Sequence, residues 1–478
     1  MRVRQPSAFS GERSPLARLR DSLNYIIEAT PARFAILVFT ALILVTTLLL
    51  SLPIASRDRT MTPLADALFT AVSTICVTGL ATVDMATHWS TFGNIVILVG
   101  LQVGGVGVLT LASILGLVSA RRLGLRQRLM AASDTNPSRL HVGPVSESQT
   151  VRLGEIGGLL TTVAVSMIVI EVAISLLIIP RLLTTGTDLW SATWQGFYYA
   201  SSAFTNTGFV PTVEGLAPFE TDPWMLGSLS LAVFLGSVGF PVIFALTRKL
   251  RLGSRLSVHV KLTLVVMFTL VVLGAIAIYA LEWDNPATIG AQDPLARPGT
   301  ATFLSIMTRS GGFSTVDLAQ ANGSTLLVMD MLMFVGGGSA STAGGIKVTT
   351  LAVLFLAAFA EARGDKDMQV FDRRIPSDLL RLSVSVVLWG ATIVATATIA
   401  ILHITKLPLD FVLFEVISAF GTCGLSVGVS AESPEAAKYI LSATMWAGRV
   451  GTVTLAAALA ASQRKQLFTR AEERPIVG

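Results

Sequence analysis

Four short glycine-centred segments, each behind a short apolar stretch and ahead of a long one, constrain this chain more than any other feature. They are Cys76-Val77-Thr78-Gly79-Leu80, Thr205-Asn206-Thr207-Gly208-Phe209, Arg309-Ser310-Gly311-Gly312-Phe313 and Gly421-Thr422-Cys423-Gly424-Leu425. Aligned on Gly79, Gly208, Gly312 and Gly424, they stand 129, 104 and 112 residues apart, so the chain reads as a fourfold internal repeat. Four copies of "helix, short helix, glycine strand, helix" are a way for one chain to ring a path with backbone carbonyls.

With 52% hydrophobic and only 14% charged residues, the chain lies outside the range of soluble globular proteins. About eight apolar stretches approach or exceed the roughly 20 residues that cross a bilayer. Near-complete ones are Phe34 to Leu52, Ile156 to Ile179, Met225 to Leu246, Leu262 to Leu281 and Leu379 to Ile404. The fold class expected is an all-α polytopic membrane protein. The arginine-rich stretch before Phe34 is long and no small-residue cleavage site follows, so a removable signal is not expected. Cys76 and Cys423 sit in apolar surroundings, and His88, His141, His259 and His403 are scattered, which leaves no disulfide framework and no metal-ligand spacing.

Cations collect in alternate loops: Arg2 to Arg33; Arg121, Arg122, Arg126, Arg128 and Arg139; Arg248, Lys249, Arg251 and Arg255; Arg363 to Arg374; Arg464, Lys465 and Arg470. The intervening loops carry acids such as Asp84, Glu214, Glu220, Asp222, Glu282, Asp284 and Asp317. By the positive-inside rule the basic loops and both termini face the cytoplasm. The arginines are read as topology signals and lipid-headgroup contacts, not as a nucleic-acid surface.

Between each outer end and the next crossing lies an apolar segment too short to span: Leu64 to Thr74, Trp190 to Ala203, Gly299 to Thr308 and Leu409 to Phe420. Helices of that length reach about halfway through a core of roughly 30 Å, and their irregular ends are tolerated only in protein or along an aqueous cavity. The expected layout is therefore eight transmembrane helices plus four re-entrant pore helices. The helices that follow carry small-residue clusters at Gly104 to Gly107, Gly236 to Gly239, Gly336 to Ser339 and Ala447 to Gly451, suited to close helix packing. The third cluster continues as Gly336-Gly337-Gly338-Ser339-Ala340-Ser341-Thr342-Ala343-Gly344-Gly345-Ile346-Lys347, which predicts a broken helix with a loop between Phe334 and Val348.

In the glycine motifs, inward-pointing carbonyls replace part of a cation's hydration shell, and the Thr78 and Thr207 hydroxyls are expected to pin the strand. No motif contains Asp or Glu, which argues against a divalent-ion filter.

With Val77-Thr78-Gly79-Leu80, Asn206-Thr207-Gly208-Phe209, Ser310-Gly311-Gly312-Phe313, Thr422-Cys423-Gly424-Leu425, the loop from Gly336 to Lys347 and the last-helix Arg449, the chain resembles the Trk/Ktr/HKT superfamily of potassium transporters. Within it, the resemblance is strongest to the bacterial Ktr-type (KtrB-like) membrane subunit, and it runs from about Phe34 to Ala460. It implies four membrane-pore-membrane repeats around one pore in the plasma membrane, a homodimer, and a cytoplasmic RCK-type nucleotide-binding regulatory subunit (KtrA-like or TrkA-like). K⁺ is the implied transported ion, bound at filter residues Val77, Thr78, Gly79, Asn206, Thr207, Gly208, Ser310, Gly311, Gly312, Thr422, Cys423 and Gly424. Na⁺ is a candidate activator. No covalent cofactor is implied, and ATP/ADP or NAD belongs to the partner, since the chain has no phosphate-binding GxxxxGK[ST]. Gly79 stands where some sodium-transporting relatives carry serine, which favours potassium. Gly336, Gly337, Gly338, Ser339, Ser341, Thr342, Gly344, Gly345, Lys347 and Arg449 are the implied gate.

Arg449 in an apolar helix costs about 2.5 to 3.5 kcal/mol on insertion scales unless satisfied. It is read either as paired with a carbonyl or acid, or as an electrostatic barrier beneath the filter. Lys347 either snorkels to the cytoplasmic surface or makes a gating contact. Glu171, Asp330 and Glu415 are read as structural hydrogen-bond or ion-pair groups. The chain divides into a tail (1–33), repeat 1 (34–118), a cytoplasmic loop (119–150), repeat 2 (151–248), repeat 3 (249–361, with intramembrane loop 336–347), repeat 4 (362–462) and a tail (463–478). The alternatives are a proton- or sodium-coupled K⁺ symporter, a Na⁺-permeable relative, or a secondary transporter of another kind, which would show paired breaks in two halves. An enzyme is not expected, because no catalytic constellation of His, Asp, Glu, Ser or Cys is evident.

Overall fold

A computed structural model describes residues 31–107, 153–253, 255–365 and 367–451. The tails and the 119–150 loop, with His141 and its arginines, lie outside these residues apart from residues 31–33. Short 3-10 turns aside, the elements are α1 Pro31–Ser51, α2 Leu64–Cys76, α3 Thr91–Gly105, α4 Leu153–Leu183, α5 Leu189–Phe204, α6 Pro223–Val238, α7 Phe240–Leu252, α8 Val258–Glu282, α9 Arg297–Met307, α10 Gly323–Phe334 and α11 Val348–Arg363. They continue with β1 Met368–Val370, β2 Arg373–Ile375, α12 Ser377–Thr405, α13 Leu409–Gly421, α14 Val429–Glu432 and α15 Glu435–Trp446, which runs into a π-helical turn, Ala447–Gly451.

The four short helices α2, α5, α9 and α13 form the centre. Each has 11 to 16 residues, a reach of about 16–24 Å at roughly 1.5 Å per residue. Beyond the first turn most of their residues are buried, polar ones such as Thr70, Ser201, Ser305 and Ser418 included, and Phe69, Tyr198, Tyr199, Phe204, Phe303, Phe414 and Phe420 are among the largest fully buried side chains. Their starts are set by Pro63, Asp188, Pro298 and Pro408: proline cannot continue a preceding helix but suits a first turn, and the Asp188 side chain accepts the Ser191 N–H.

Around this centre, Thr162–Leu183, Val258–Glu282 and Leu379–Thr405 are long and apolar enough to cross a bilayer. They expose large apolar side chains outward, among them Ile168 and Leu176, Phe268 and Ile276, and Leu388 and Trp389, while turning Glu171 and Ile278 inward. Such a surface suits lipid as the solvent. Ile36–Ser51, Thr91–Gly105 and Gly323–Phe334 are shorter apolar helices.

Two sequence expectations need correction. The Met225 to Leu246 stretch is not one straight crossing: Pro223–Val238 and Phe240–Leu250 bend by 101°. The hinge is Gly239 at φ +95°, followed by Pro241, and a Cβ on Gly239 would press on the Ser339 carbonyl oxygen at 2.8 Å. The bend therefore makes room for the glycine-serine loop. Nor is the protein wholly α-helical, because β1 and β2 pair antiparallel through Met368–Ile375 and Val370–Arg373. Phe371 and Asp372 both adopt positive φ, the geometry of a tight primed hairpin turn.

Candidate ion-binding site

At the end of each short helix the backbone reverses through a non-glycine residue with positive φ. These are Val77 (57°), Asn206 (62°), Ser310 (73°) and Thr422 (44°), each two residues before its motif's aligned glycine. A left-handed residue closes a helix C-terminus, but Val and Thr resist this conformation, so tertiary contacts hold it. In three repeats a serine six residues before the glycine takes part: its carbonyl accepts from Thr78 N (2.7 Å), Thr207 N (2.8 Å) or Cys423 N (2.8 Å). The hydroxyls of Ser73 and Ser418 also accept from Gly79 N and Gly424 N at 3.0 and 3.1 Å. The third repeat has Ile306 at that position, and its strand is fastened differently: the Ser310 hydroxyl reaches the carbonyls of Gly421 and Thr422 in the fourth motif.

The four motifs meet. A Cβ on Gly79 would overlap the Thr207 carbonyl oxygen, and one on Gly424 would overlap that of Thr78. One on Gly312 would stand 2.8 Å from the carbonyl oxygens of both Cys423 and Thr207, and one on Gly208 would stand 2.9 Å from that of Gly311. The four motifs contain no Asp or Glu, and the oxygens beside the neighbouring glycines are main-chain carbonyls. Thr207 is pinned by Thr205, with hydroxyls 2.9 Å apart, whereas the Thr78 hydroxyl, expected to act likewise, has no hydrogen-bond partner among the described residues.

The loop between α10 and α11 lies against this cluster. Gly336 N–H donates to Ile346 O (2.9 Å), Gly338 N–H to Ser237 O (2.7 Å) and Val348 N–H to Gly337 O (3.1 Å). Ser339 pairs with Thr349, and Ser341 donates to Gly338 O. The Thr342 hydroxyl lies 3.0 Å from Asn206 Oδ1 and 3.2 Å from Phe204 O, and Gly344 N–H reaches the Ser310 hydroxyl. A Cβ on Gly344 would run into the Thr422 hydroxyl, and one on Gly345 would sit 3.2 Å from Gly421 Cα. The loop thus touches the second, third and fourth motifs.

Arg449 lies in the π-helical turn, a distortion that often marks functional positions. It donates to Thr342 O in the loop and to Gly104 O (3.0 Å) in the first repeat. Lys347 folds back onto Ala343 O at 2.7 Å. Of the buried acids, Glu415 receives Ser426, Ser430 and Val427 and so shapes the strand leaving the fourth motif. Glu171 receives Gln102 and Ser201, and Asp330 is buried on α10.

Sequence reasoning passes over Arg309, the largest fully buried side chain of the described residues. Its guanidinium donates to Val335 O (2.8 Å), to Leu332 O and to Thr308 Oγ1 (3.4 Å). A cation directly ahead of a glycine strand, in an apolar stretch, was the available signal.

A family model described as TrkH, cation transport protein, matches residues 12–467. The chain is 34% identical over 467 residues to Ktr system potassium uptake protein D of Bacillus subtilis (strain 168), covering 96% of this chain and 100% of that one. It is 33% identical over 429 residues to Ktr system potassium uptake protein B of Vibrio alginolyticus, with 90% and 91% covered. To the potassium/sodium uptake protein NtpJ of Enterococcus hirae it is 29% identical over 425 residues, covering 87% and 90%. In fold it is similar to the crystal structure of the potassium transporter TrkH from Vibrio parahaemolyticus, with a TM-score of 0.67, 16% identity, and 94% of this chain and 85% of that chain covered.

Proposed function

Because the chain belongs to the TrkH family of cation transport proteins, and is therefore a membrane transport protein and not an enzyme, we propose that it takes up K⁺ across the plasma membrane through the four glycine motifs. The observation that carries this reading is the contact among four acid-free strands, with the carbonyls of Thr78, Thr207, Gly311 and Cys423 beside the glycines of neighbouring repeats. A K⁺ ion entering the cluster exchanges water for neutral carbonyl oxygens, which suits a monovalent ion. Mg²⁺ or Ca²⁺ would normally recruit carboxylates. The potassium-uptake names of the relatives support the same cation.

In this reading Val77, Thr78, Gly79, Asn206, Thr207, Gly208, Ser310, Gly311, Gly312, Thr422, Cys423 and Gly424 form the filter. The loop from Gly336 to Lys347 gates the path beneath it with Arg449, whose charge opposes cations there. The arrangement is completed by eight crossings and four pore helices, both termini in the cytoplasm, a homodimer, and a cytoplasmic nucleotide-binding subunit. The Ktr system names of the relatives are consistent with such a partner. A coupled or Na⁺-permeable variant is the second reading, favoured by the potassium/sodium name of one relative.

Flux of K⁺, Rb⁺ and Na⁺ into proteoliposomes, with and without a proton or sodium gradient, tests both. Gradient-independent K⁺ and Rb⁺ flux well above Na⁺ flux is expected. Flux of Na⁺ equal to K⁺, or flux that stops without a second ion gradient, favours the second reading.

A further inference from the structure

Arg309 joins the third motif to the hinge of the loop. The guanidinium is fully buried, and among the described residues no carboxylate lies within ion-pair distance of it. Two of its donations go to main-chain carbonyls at the end of α10, those of Leu332 and Val335. In an unbroken helix those carbonyls would accept from the N–H groups of Gly336 and Ser339, four residues on. Here Gly336 N–H is spent on Ile346 O instead, and the chain leaves helical geometry at Val335. A buried carbonyl left without a donor is costly, and a cation at a helix C-terminus is additionally favoured by the helix dipole. The Arg309 carbonyl in turn accepts from Asn206 Nδ2 at 3.2 Å, and the adjacent Ser310 hydroxyl receives Gly344 N–H from the far side of the loop.

We propose that Arg309 is the positioning residue that holds α10 broken at Val335, so that the loop stays seated against the filter and its release is tied to the third filter strand. The proposal rests on the gate reading above. A loop that moves aside by extending α10 would return Leu332 O to the Gly336 N–H and leave the guanidinium without that acceptor. Arg309 therefore favours the seated state through bonds from two separate nitrogens of a fixed planar fork, a geometry that a single ammonium nitrogen does not reproduce.

The test compares Arg309→Gln and Arg309→Lys in the full chain and in a chain shortened between residues 337 and 344, reading basal K⁺ flux in proteoliposomes and amide hydrogen exchange at Ile346, whose N–H donates to Phe334 O at 3.4 Å across the break. Both substitutions are expected to raise basal flux about tenfold in the full chain, the effect of losing one charge-assisted bond, and to speed exchange at the Ile346 amide, because an extended α10 gives Phe334 O to the Gly338 N–H instead. In the shortened chain neither should alter flux further. If Arg309→Lys keeps the parent's flux and exchange while Arg309→Gln does not, charge alone acts and the hinge assignment is overturned. If shortening the loop leaves flux unchanged, the gate reading fails separately. Exchange at Ile346 then decides for Arg309: faster exchange in the lysine variant upholds its hold on the break, and parental exchange overturns it. Failure of both variants to reach the membrane even in the shortened chain makes Arg309 a folding determinant and also overturns the proposal.

Discussion

Thr342→Val is the smallest change that separates the loop from the filter. The substitution keeps the shape of the side chain and removes its hydroxyl, which stands 3.0 Å from Asn206 Oδ1 and 3.2 Å from Phe204 O. One hydroxyl proton serves only one of these acceptors at a time, so the loss is a single bond of roughly 0.5–1.5 kcal/mol plus part of the cost of an unmet buried acceptor. Together these come to about 1–2 kcal/mol against the seated loop. If the released loop is a minor population, its share rises by about 5- to 30-fold. Basal K⁺ flux in proteoliposomes without any regulatory subunit should increase by the same factor until the path is fully open. Asn206→Leu removes the same contact and also the Nδ2 donation to Arg309 O, so the double variant with Thr342→Val should fall short of the two single effects summed by about the one shared bond. A folded Thr342→Val protein whose basal flux stays within about twofold of the parent would refute the reasoning, since even the smallest bond energy assumed predicts more.

Other consequences are open to direct measurement. Gly79→Ser should narrow the preference for K⁺ over Na⁺ by about tenfold or more, because a side chain there collides with the Thr207 carbonyl and φ +94° resists any L residue; competitive uptake of the two ions reads this out. Glu415→Gln puts an amide donor against at least one of the groups that now donate to Glu415 and should cost about 1–3 kcal/mol, seen as a lower melting temperature in detergent. Lys438→Met strands the Asp66 carboxylate, which Lys438 now meets at 2.6 Å, and should lower stability. Because each side chain of that pair is only 13% exposed, Asp66→Asn combined with Lys438→Met should recover much of the loss.

Much of this architecture is legible before any coordinates. The short apolar segments and the long ones that follow them mark α2, α5, α9 and α13 to within a few residues, because a helix bounded by proline or a capping acid and by glycine carries its limits in its sequence. The glycine-serine run likewise announces the break between Phe334 and Val348. What stays hidden depends on contacts between repeats. Val77, Asn206, Ser310 and Thr422 share one left-handed conformation without sharing chemistry, and of the four only Asn206 is of a type that favours it, so no single propensity identifies the set. The bend at Gly239 follows from the loop that packs into it. Arg309 looks like part of a motif until its guanidinium is found on carbonyls 23 and 26 residues away.

The central claim is that a K⁺-like ion sits among the carbonyls of the four glycine motifs, and anomalous scattering from crystals grown with Rb⁺ or Tl⁺ tests it most directly. The account predicts an anomalous peak ringed by the carbonyl oxygens of Thr78, Thr207, Gly311 and Cys423, weakened or displaced in Gly79→Ser. Density that avoids these carbonyls and collects instead at a carboxylate such as Glu171 or Asp330 would contradict it.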